Sequence, residues 1–175
     1  MDEIRFPIGQ FEPNLNPTDE DRSYVISQIP NITLTLKSLV ENLTPDQLQI
    51  PYRPNGWTIQ QIVHHLADND MNAYLRFKRA LTEFEPLGNS YREDLWAELI
   101  DYKEIPVEES ILLLEVLHRR LLILLNGLAP DEFNRGLRTQ VLGTITLDTA
   151  LQRFVWHNQH HISQIKSLMD SEGWL

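Results

Sequence analysis

Four long segments of this chain carry apolar residues at the spacing of an amphipathic α-helix. They run from Thr18 to about Leu43, from Thr58 to about Leu81, from Val107 to Asn126 and from Thr146 to about Ser171. Pro30 interrupts the first segment, which predicts either a kinked helix or two short ones. No alternation of strands and helices competes with this pattern, so the sequence predicts an all-α four-helix bundle. We expect a single domain over residues 1–175, because a chain of this length can bury a continuous core.

The connections between these segments predict short extra elements. Short helical turns are expected at Thr44-Pro45 and at Pro130 to Phe133, and a short helix over Arg92 to Asp101. The segment from Leu137 to Thr146 is expected to be a loop or small hairpin, and residues 1–17 an extended arm. Thr58 and Gln61 have the spacing of a capping box, which predicts where the second long helix begins. Gly127 is expected to end the third in the left-handed conformation.

The charge of the chain restricts the partners that it can bind. Its formal net charge is -10, with 15 Lys and Arg against 25 Asp and Glu, so we expect no nucleic-acid surface and no anionic membrane surface. No apolar run approaches the roughly 20 residues of a membrane span, and the first ten residues do not resemble a signal peptide. These features predict a cytoplasmic protein that acts on a small molecule or contacts another protein.

All six histidines fall in three helical segments, and the chain has no cysteine. In the last helix, His157 and His161 are one turn apart and lie in or beside the apolar stripe, whereas His160 is predicted to face outward. In the second helix, His65 begins a polar row that continues with Asn69, Asn72 and Arg76. This row predicts the wall of a solvent-filled pocket, whereas His64 is predicted to point away from the core. Imidazole is a common ligand for zinc, so an inward pair and a third histidine on another helix predict a metal site.

The sequence leaves other interpretations of these residues open. A single inward histidine is more often a core residue than a ligand, and we assign His118 to the core or to the support of a ligand rather than to ligation. Asp68 is either a surface carboxylate or a group that orients an imidazole. Trp57 and Trp156 are interpreted as packing residues. The histidine spacing lacks the glutamate of the His-Glu-x-x-His pattern, and the Glu-x-x-His pairs of di-metal bundles are missing too.

Several of these segments resemble a known family. The segments are Gly56 to Asp68 (GWTIQQIVHHLAD), Trp156 to Ile162 (WHNQHHI), Phe6 to Gly9 (FPIG), Pro51 to Arg53 (PYR) and Asn72 to Lys78 (NAYLRFK). Over nearly the whole chain, the sequence resembles the DinB-like superfamily, and within it the YfiT-type metal-dependent hydrolases of bacilli. The resemblance implies a four-helix bundle with one zinc ion, or nickel, held by His65, His157 and His161. It also implies a cytoplasmic homodimer, which would explain why the segment from Val107 to Asn126 is so apolar.

The resemblance implies hydrolysis, by water activated at a three-histidine zinc site, with Asn69, Asn72 and Arg76 orienting the small-molecule substrate. A second activity fits the same site: relatives in this superfamily use the metal to bind a low-molecular-weight thiol, such as bacillithiol, for S-transfer. A third alternative is a non-catalytic module for binding or dimerisation that the metal stabilises.

Overall fold

The computed structural model describes residues 2–175, without the side chains of residues 2 and 3. Its helices are α1 (Asp2–Arg5), α2 (Asp19–Val40), α3 (Pro45–Leu48), α4 (Ile59–Thr82), α5 (Glu93–Trp96), α6 (Asp101–Glu104), α7 (Val107–Asn126) and α8 (Leu147–Glu172). A 3-10 helix covers Pro130–Asn134, and strands β1 (Gly136–Thr139) and β2 (Gly143–Thr146) form an antiparallel hairpin.

The four long helices form the predicted bundle. Helix α4 packs against α7 and α8, and α2 packs against the same two helices from the other side. Each long helix contributes fully buried aliphatic side chains to one core: Ile29 and Leu36; Ile59, Ile62 and Leu66; Leu114, Leu121 and Leu125; Leu147, Leu151 and Ile165. The prediction of an all-α four-helix bundle is therefore confirmed. Pro30 lies within one helix, α2, rather than between two.

Threonine caps set where three of the long helices begin. The predicted capping box of α4 is present, since the Gln61 backbone N–H donates to Thr58 Oγ1 at 3.1 Å and the Thr58 N–H donates to Gln61 Oε1 at 3.0 Å. Thr18 and Thr146 cap α2 and α8 in the same way, each accepting a hydrogen bond from a backbone N–H three residues on. Caps of this kind satisfy N–H groups that the helix leaves free. They fix the start of α4 and α8, and thereby the position of five of the six histidines relative to the start of their helix.

Two local predictions are wrong. The segment from Arg92 to Asp101 is not one helix, because the chain turns between α5 and α6 and the Ala97 carbonyl accepts a hydrogen bond of 3.0 Å from Gln61 Nε2 on α4. Gly127 is right-handed, with φ of −91°, because a tight final turn bonds its N–H to the Leu124 carbonyl. The left-handed glycine is instead Gly173, with φ of 70°, at the end of α8.

The hairpin prediction for Leu137 to Thr146 is confirmed, with Leu137 opposite Ile145. The N-terminal arm is extended only in part, because it begins with the short helix α1. Beyond α1 the arm lies along α8: Phe6 packs on the His160 ring at 5.5 Å and Phe11 on Trp156 at 5.7 Å between centroids. Asn14 and Gln152 exchange two hydrogen bonds, at 2.8 and 2.9 Å.

Across residues 2–175, no helix has the length and apolar character that crossing a bilayer requires.

Candidate metal centre

Three histidines from two helices meet in the interior of the bundle. Helix α4 supplies His65, and α8 supplies His157 and His161, which are one turn apart. One ring nitrogen of each lies within 4.8 Å of the other two, and Nε2 of His65 lies 3.3 Å from Nε2 of His157. The structure thus brings together the three histidines that the sequence singled out.

The arrangement fits a metal ion. Two nitrogen donors at tetrahedral positions, each about 2.0–2.1 Å from zinc, lie roughly 3.3–3.4 Å from each other. The separation of 3.3 Å between His65 and His157 matches this value, and small ring rotations can shorten the other separations, which reach up to 4.8 Å. Three imidazoles would leave a fourth coordination position for a small molecule.

The histidines are neutral at physiological pH, as metal ligands must be. Burial lowers the pKa of His65 to about 4. Burial also holds the pKa values of His157 and His161 well below the ordinary value, and repulsion between the neighbouring imidazoles adds to the effect. Uncharged rings can share this small volume, whereas three imidazolium ions could not.

Trp57 packs against this cluster from the start of α4. Its ring centroid lies 4.5 Å from that of His65 and 6.0 Å from that of His161. Within the described part of the chain, Nδ1 of His65 has no hydrogen-bond partner, so packing on Trp57 and the contact of Nε2 with His157 hold this ring. The interpretation of Trp57 as a packing residue agrees with these contacts, and Trp156 likewise stacks on His160 at 4.9 Å.

Gln164 determines which nitrogen of His161 is free. Its Nε2 donates to the Arg5 carbonyl oxygen at 2.8 Å, an acceptor that can only receive a hydrogen bond, and it lies 3.0 Å from His160 Nε2. The amide oxygen therefore faces His161 Nδ1 at 2.8 Å and accepts its proton. The lone pair of His161 is then on Nε2 and available to a metal. Helical periodicity does not predict this role of Gln164, because it depends on the Arg5 carbonyl, which is 159 residues away in the sequence.

A second amide, that of Asn69, contacts His157. Asn69 Nδ2 lies 3.2 Å from His157 Nδ1 and 3.2 Å from Asp70 Oδ1. In this orientation the amide donates to Nδ1, which places the His157 proton on Nε2, facing His65. Binding a metal through Nε2 would move that proton to Nδ1 and turn the Asn69 oxygen toward it.

Behind this contact, Asp70 forms a buried polar network with α7 and α8. One oxygen lies 2.6 Å from His118 Nε2, and Asn158 Nδ2 donates to both carboxylate oxygens at 3.1 Å. The structure therefore places His118 in the core and outside the histidine cluster, as the sequence analysis favoured. Asp70 and Asn158 were not singled out from the sequence, because a polar residue on an inward face gives no separate signal.

The polar row of α4 is only partly exposed to a cavity. Asn69 and Arg76 line a cavity of about 460 Å³ that also reaches His157. Asn72 is instead buried, where its amide donates to the Asp68 carbonyl at 2.8 Å and accepts a hydrogen bond from Asn89. The Asp68 carboxylate accepts a hydrogen bond of 2.7 Å from Tyr102, and burial raises its pKa. Asp68 is thus neither a free surface group nor in contact with an imidazole.

Two histidine orientations were predicted wrongly. His160 is 7% exposed rather than outward, because the N-terminal arm covers that side of α8. His64 is 5% exposed, with Nδ1 2.7 Å from Ser110 Oγ of α7 and the ring against Tyr102. In both cases an element outside the helix buries a face that periodicity assigns to solvent.

Comparison with known proteins places the fold and the site in a family. The sequence model of the DinB superfamily matches residues 34–165, a range that includes His65, His157 and His161. A Bacillus subtilis protein named "Putative metal-dependent hydrolase YfiT" is 41% identical over 172 residues, covering 98% of this chain and 97% of that protein. A protein of Oceanobacillus iheyensis with the same designation is 38% identical, covering 97% and 98%.

The solved structures agree with this assignment. The structure of YfiT from Bacillus subtilis, described as having an unusual four-helix bundle topology, matches with a TM-score of 0.96 at 40% identity over 99% of both chains. TT2238, a four-helix bundle protein, matches with a TM-score of 0.59 at 16% identity over 83% of this chain and 98% of that one. The second likeness concerns the fold alone.

The role of Gln164 leads to a prediction about metal affinity. Gln164→Leu removes the acceptor of the His161 proton, so we expect zinc or cobalt affinity to fall about 10- to 100-fold, measured by competition with a chromophoric chelator. Gln164→Glu keeps the acceptor for His161 but loses the donor to the Arg5 carbonyl, so it should restore the affinity only in part. Gln159→Leu is the matched control, because the Gln159 side chain forms no hydrogen bond within the described residues. Unchanged affinity in a folded Gln164→Leu variant would contradict the assignment.

Proposed function

Since the chain belongs to the DinB superfamily, we propose that it is a metal-dependent hydrolase whose zinc ion is bound by His65, His157 and His161. The observation that carries the proposal is the convergence of three neutral imidazoles from α4 and α8, with two ring nitrogens 3.3 Å apart. Nickel accepts the same donor set, so the proposal concerns the three ligands more than the element. Similarity over nearly the full chain, at 41% and 38% identity, to two proteins named "putative metal-dependent hydrolase" supports it.

The residues around the cluster have distinct tasks in this proposal. When bound, the metal would supply Lewis acidity, lowering the pKa of a small nucleophile and polarising a substrate carbonyl. Gln164 and Asn69 hold His161 and His157, and the cavity beside His157 admits the substrate. Asn69 and Arg76 on its wall orient the substrate or stabilise developing charge. Asn72 acts indirectly, by holding Asn89 on the cavity wall.

His157→Ala tests the ligand set. We expect the variant to lose stoichiometric zinc, measured by mass spectrometry of the dialysed protein, and to lose hydrolysis of p-nitrophenyl esters together with it. His64→Ala is the control, because it removes a buried histidine that lies outside the cluster and contacts Ser110 and Tyr102 instead. A His157→Ala variant that keeps one zinc per chain would refute the assignment.

Removal of zinc from the wild-type protein by a chelator tests the structural alternative. If the protein then unfolds, the metal stabilises a binding module rather than serving catalysis.

A second activity, transfer of a low-molecular-weight thiol, is favoured by one observation. Over residues 4–175, whose side chains the structure describes, no carboxylate forms a hydrogen bond or ion pair with the three histidines; Asp68 is bound to Tyr102, and Asp70 to His118 and Asn158. Hydrolysis benefits from a nearby general base, whereas a thiol that coordinates a metal loses its proton outright. The chain has no cysteine, so the thiol would be a co-substrate such as bacillithiol. A carbon–sulfur bond would form, the leaving group would depart with its electron pair, and the thiol proton would pass to solvent.

The absorption spectrum of the cobalt-substituted protein separates the two activities. If the site accepts a thiol, titration with bacillithiol should produce a thiolate-to-cobalt charge-transfer band that saturates at one thiol per chain. His161→Ala, which removes a proposed ligand, should abolish the band. With cobalt binding confirmed, the absence of a band would count against thiol transfer and leave hydrolysis as the proposal.

We also propose that the protein is a homodimer that pairs through α7. Leu112, Val116 and Ile123 are exposed on this helix and lie within about 40° of one another around its axis; Ile123 alone is 77% exposed. Exposed apolar side chains that share one face of a bundle helix are typical of an interface between subunits, although Arg119 also lies on this face.

Light scattering after gel filtration tests this interface. We expect a dimer for the wild-type protein and a monomer for Ile123→Glu, because the carboxylate would be buried against an apolar partner. Ile100→Glu provides the control, since Ile100 is also exposed but lies outside α7. A monomeric wild-type protein at micromolar concentration would refute the proposal.

A further inference from the structure

Two arginines line the cavity beside the histidine cluster without a carboxylate partner. Arg153 of α8 forms no hydrogen bond or ion pair with any described residue, although it is half-buried. Arg76 of α4 donates through Nε to the Asn89 carbonyl at 3.1 Å, and through Nη2 to the same oxygen, but no carboxylate among the described residues lies within ion-pairing distance. Half-buried guanidinium groups usually have an anionic partner, because losing water without one costs free energy.

The two cations also affect each other. Burial lowers the pKa of Arg76; nearby Tyr91 offsets part of this effect, and repulsion from Arg153 adds to it. Arg153 likewise contributes to the low pKa of His157, after burial and the neighbouring histidines. The cavity wall therefore concentrates positive charge next to the proposed metal ligands, which makes binding of an anion there favourable.

The other charged groups of this wall neutralise the two arginines only in part. Arg92 and Asp94 pair with each other, with Nε and Oδ1 2.8 Å apart. Glu93 is close enough for Arg153 to lower its pKa in part, although burial raises that pKa more, and the two side chains do not form an ion pair. The wall thus has three arginines against two carboxylates, in a chain whose net charge is -10. An excess of one positive charge matches a singly charged anion better than a dianion.

The positions of the arginines fix where the anion would lie. Arg153 is four residues before His157, which is about 6 Å along the helix axis, and Arg76 is seven residues after Asn69, about 10 Å. The same wall has apolar side chains, of which Ala73 lies between Asn69 and Arg76 on α4, and Phe154 lies between Arg153 and His157 on α8. A ligand whose reacting group is at the histidines would thus pass over an apolar stretch before it meets the guanidinium groups.

We propose that Arg76 and Arg153 bind a carboxylate of the substrate, separated from its reacting group by an apolar spacer of roughly 6–10 Å. The inference rests on the proposed function, because it assumes that the reacting group lies at the three-histidine site. It adds the substrate class: a carboxylic acid rather than a neutral ester, amide or thiol. Arg76 and Arg153 are then specificity-determining residues.

Binding of ω-mercapto acids and their methyl esters tests the inference. The probes are 3-mercaptopropionate, 6-mercaptohexanoate and 8-mercaptooctanoate, each compared with its ester by calorimetric titration of the zinc-loaded protein. We expect 6-mercaptohexanoate to bind about tenfold or more tightly than its ester, because the acid gains charge-assisted hydrogen bonds. The shortest acid should show little preference over its ester, since it cannot span the distance.

The acid-to-ester affinity ratio of variants shows which residues recognise the carboxylate. Arg153→Gln and Arg76→Gln should each reduce the ratio for 6-mercaptohexanoate toward one and leave the affinity of the ester nearly unchanged. Arg119→Gln removes an exposed arginine of α7 outside the cavity and should keep the wild-type ratio. A wild-type ratio of one, or a ratio that survives both cavity substitutions, would overturn the inference.

A second measurement distinguishes failure of the proposed carboxylate site from failure of the proposed metal site. The charge-transfer band of the cobalt protein reports whether the thiol reaches the metal, and the calorimetric ratio reports whether the carboxylate is recognised. A band with a ratio of one would retain the metal site and refute the carboxylate site. A ratio above ten without a band would retain the carboxylate site and refute the open metal position.

Discussion

The packing of α4 against α8 around three uncharged imidazoles is the constraint on which the site depends. His65 and His157 approach to 3.3 Å, a distance that two imidazolium ions could not maintain in a buried volume. Burial keeps the rings neutral, and neutrality in turn allows the helices to approach. Gln164, Asn69 and Trp57 then fix individual rings, so that a nitrogen of each ring faces the other two. Binding of a metal ion between the three rings would link α4 to α8, which couples metal binding to the stability of the bundle.

The N-terminal arm belongs to this site although it is far away in the sequence. The Arg5 carbonyl orients the amide of Gln164, and Phe6 covers His160. One end of the chain thus determines the tautomer of a histidine near the other end. On the opposite side, Asp70 connects α4 to His118 of α7 and Asn158 of α8. Buried polar groups of this kind restrict the helices to one alignment, because a shift would leave them without partners.

Charge is distributed unevenly over the molecule. The chain as a whole is acidic, yet the wall of the cavity beside His157 has more arginine than carboxylate. An acidic exterior disfavours nucleic acids and other polyanions, whereas a small recessed excess of positive charge can attract a small anion. In our proposal, selectivity for a small anion would come from the position of Arg76 and Arg153 rather than from the net charge.

The sequence by itself determined the bundle and the identity of the clustered histidines. Helical periodicity and the threonine caps are local, so they fix both the number of long helices and the rotation of His65, His157 and His161 toward the core. The tertiary structure alone decided which elements cover the remaining faces. The arm buries His160, α7 buries His64, and Arg153 faces the same cavity as Arg76. These features depend on segments that are distant in sequence, and periodicity along one helix contains no information about which other element covers its second face.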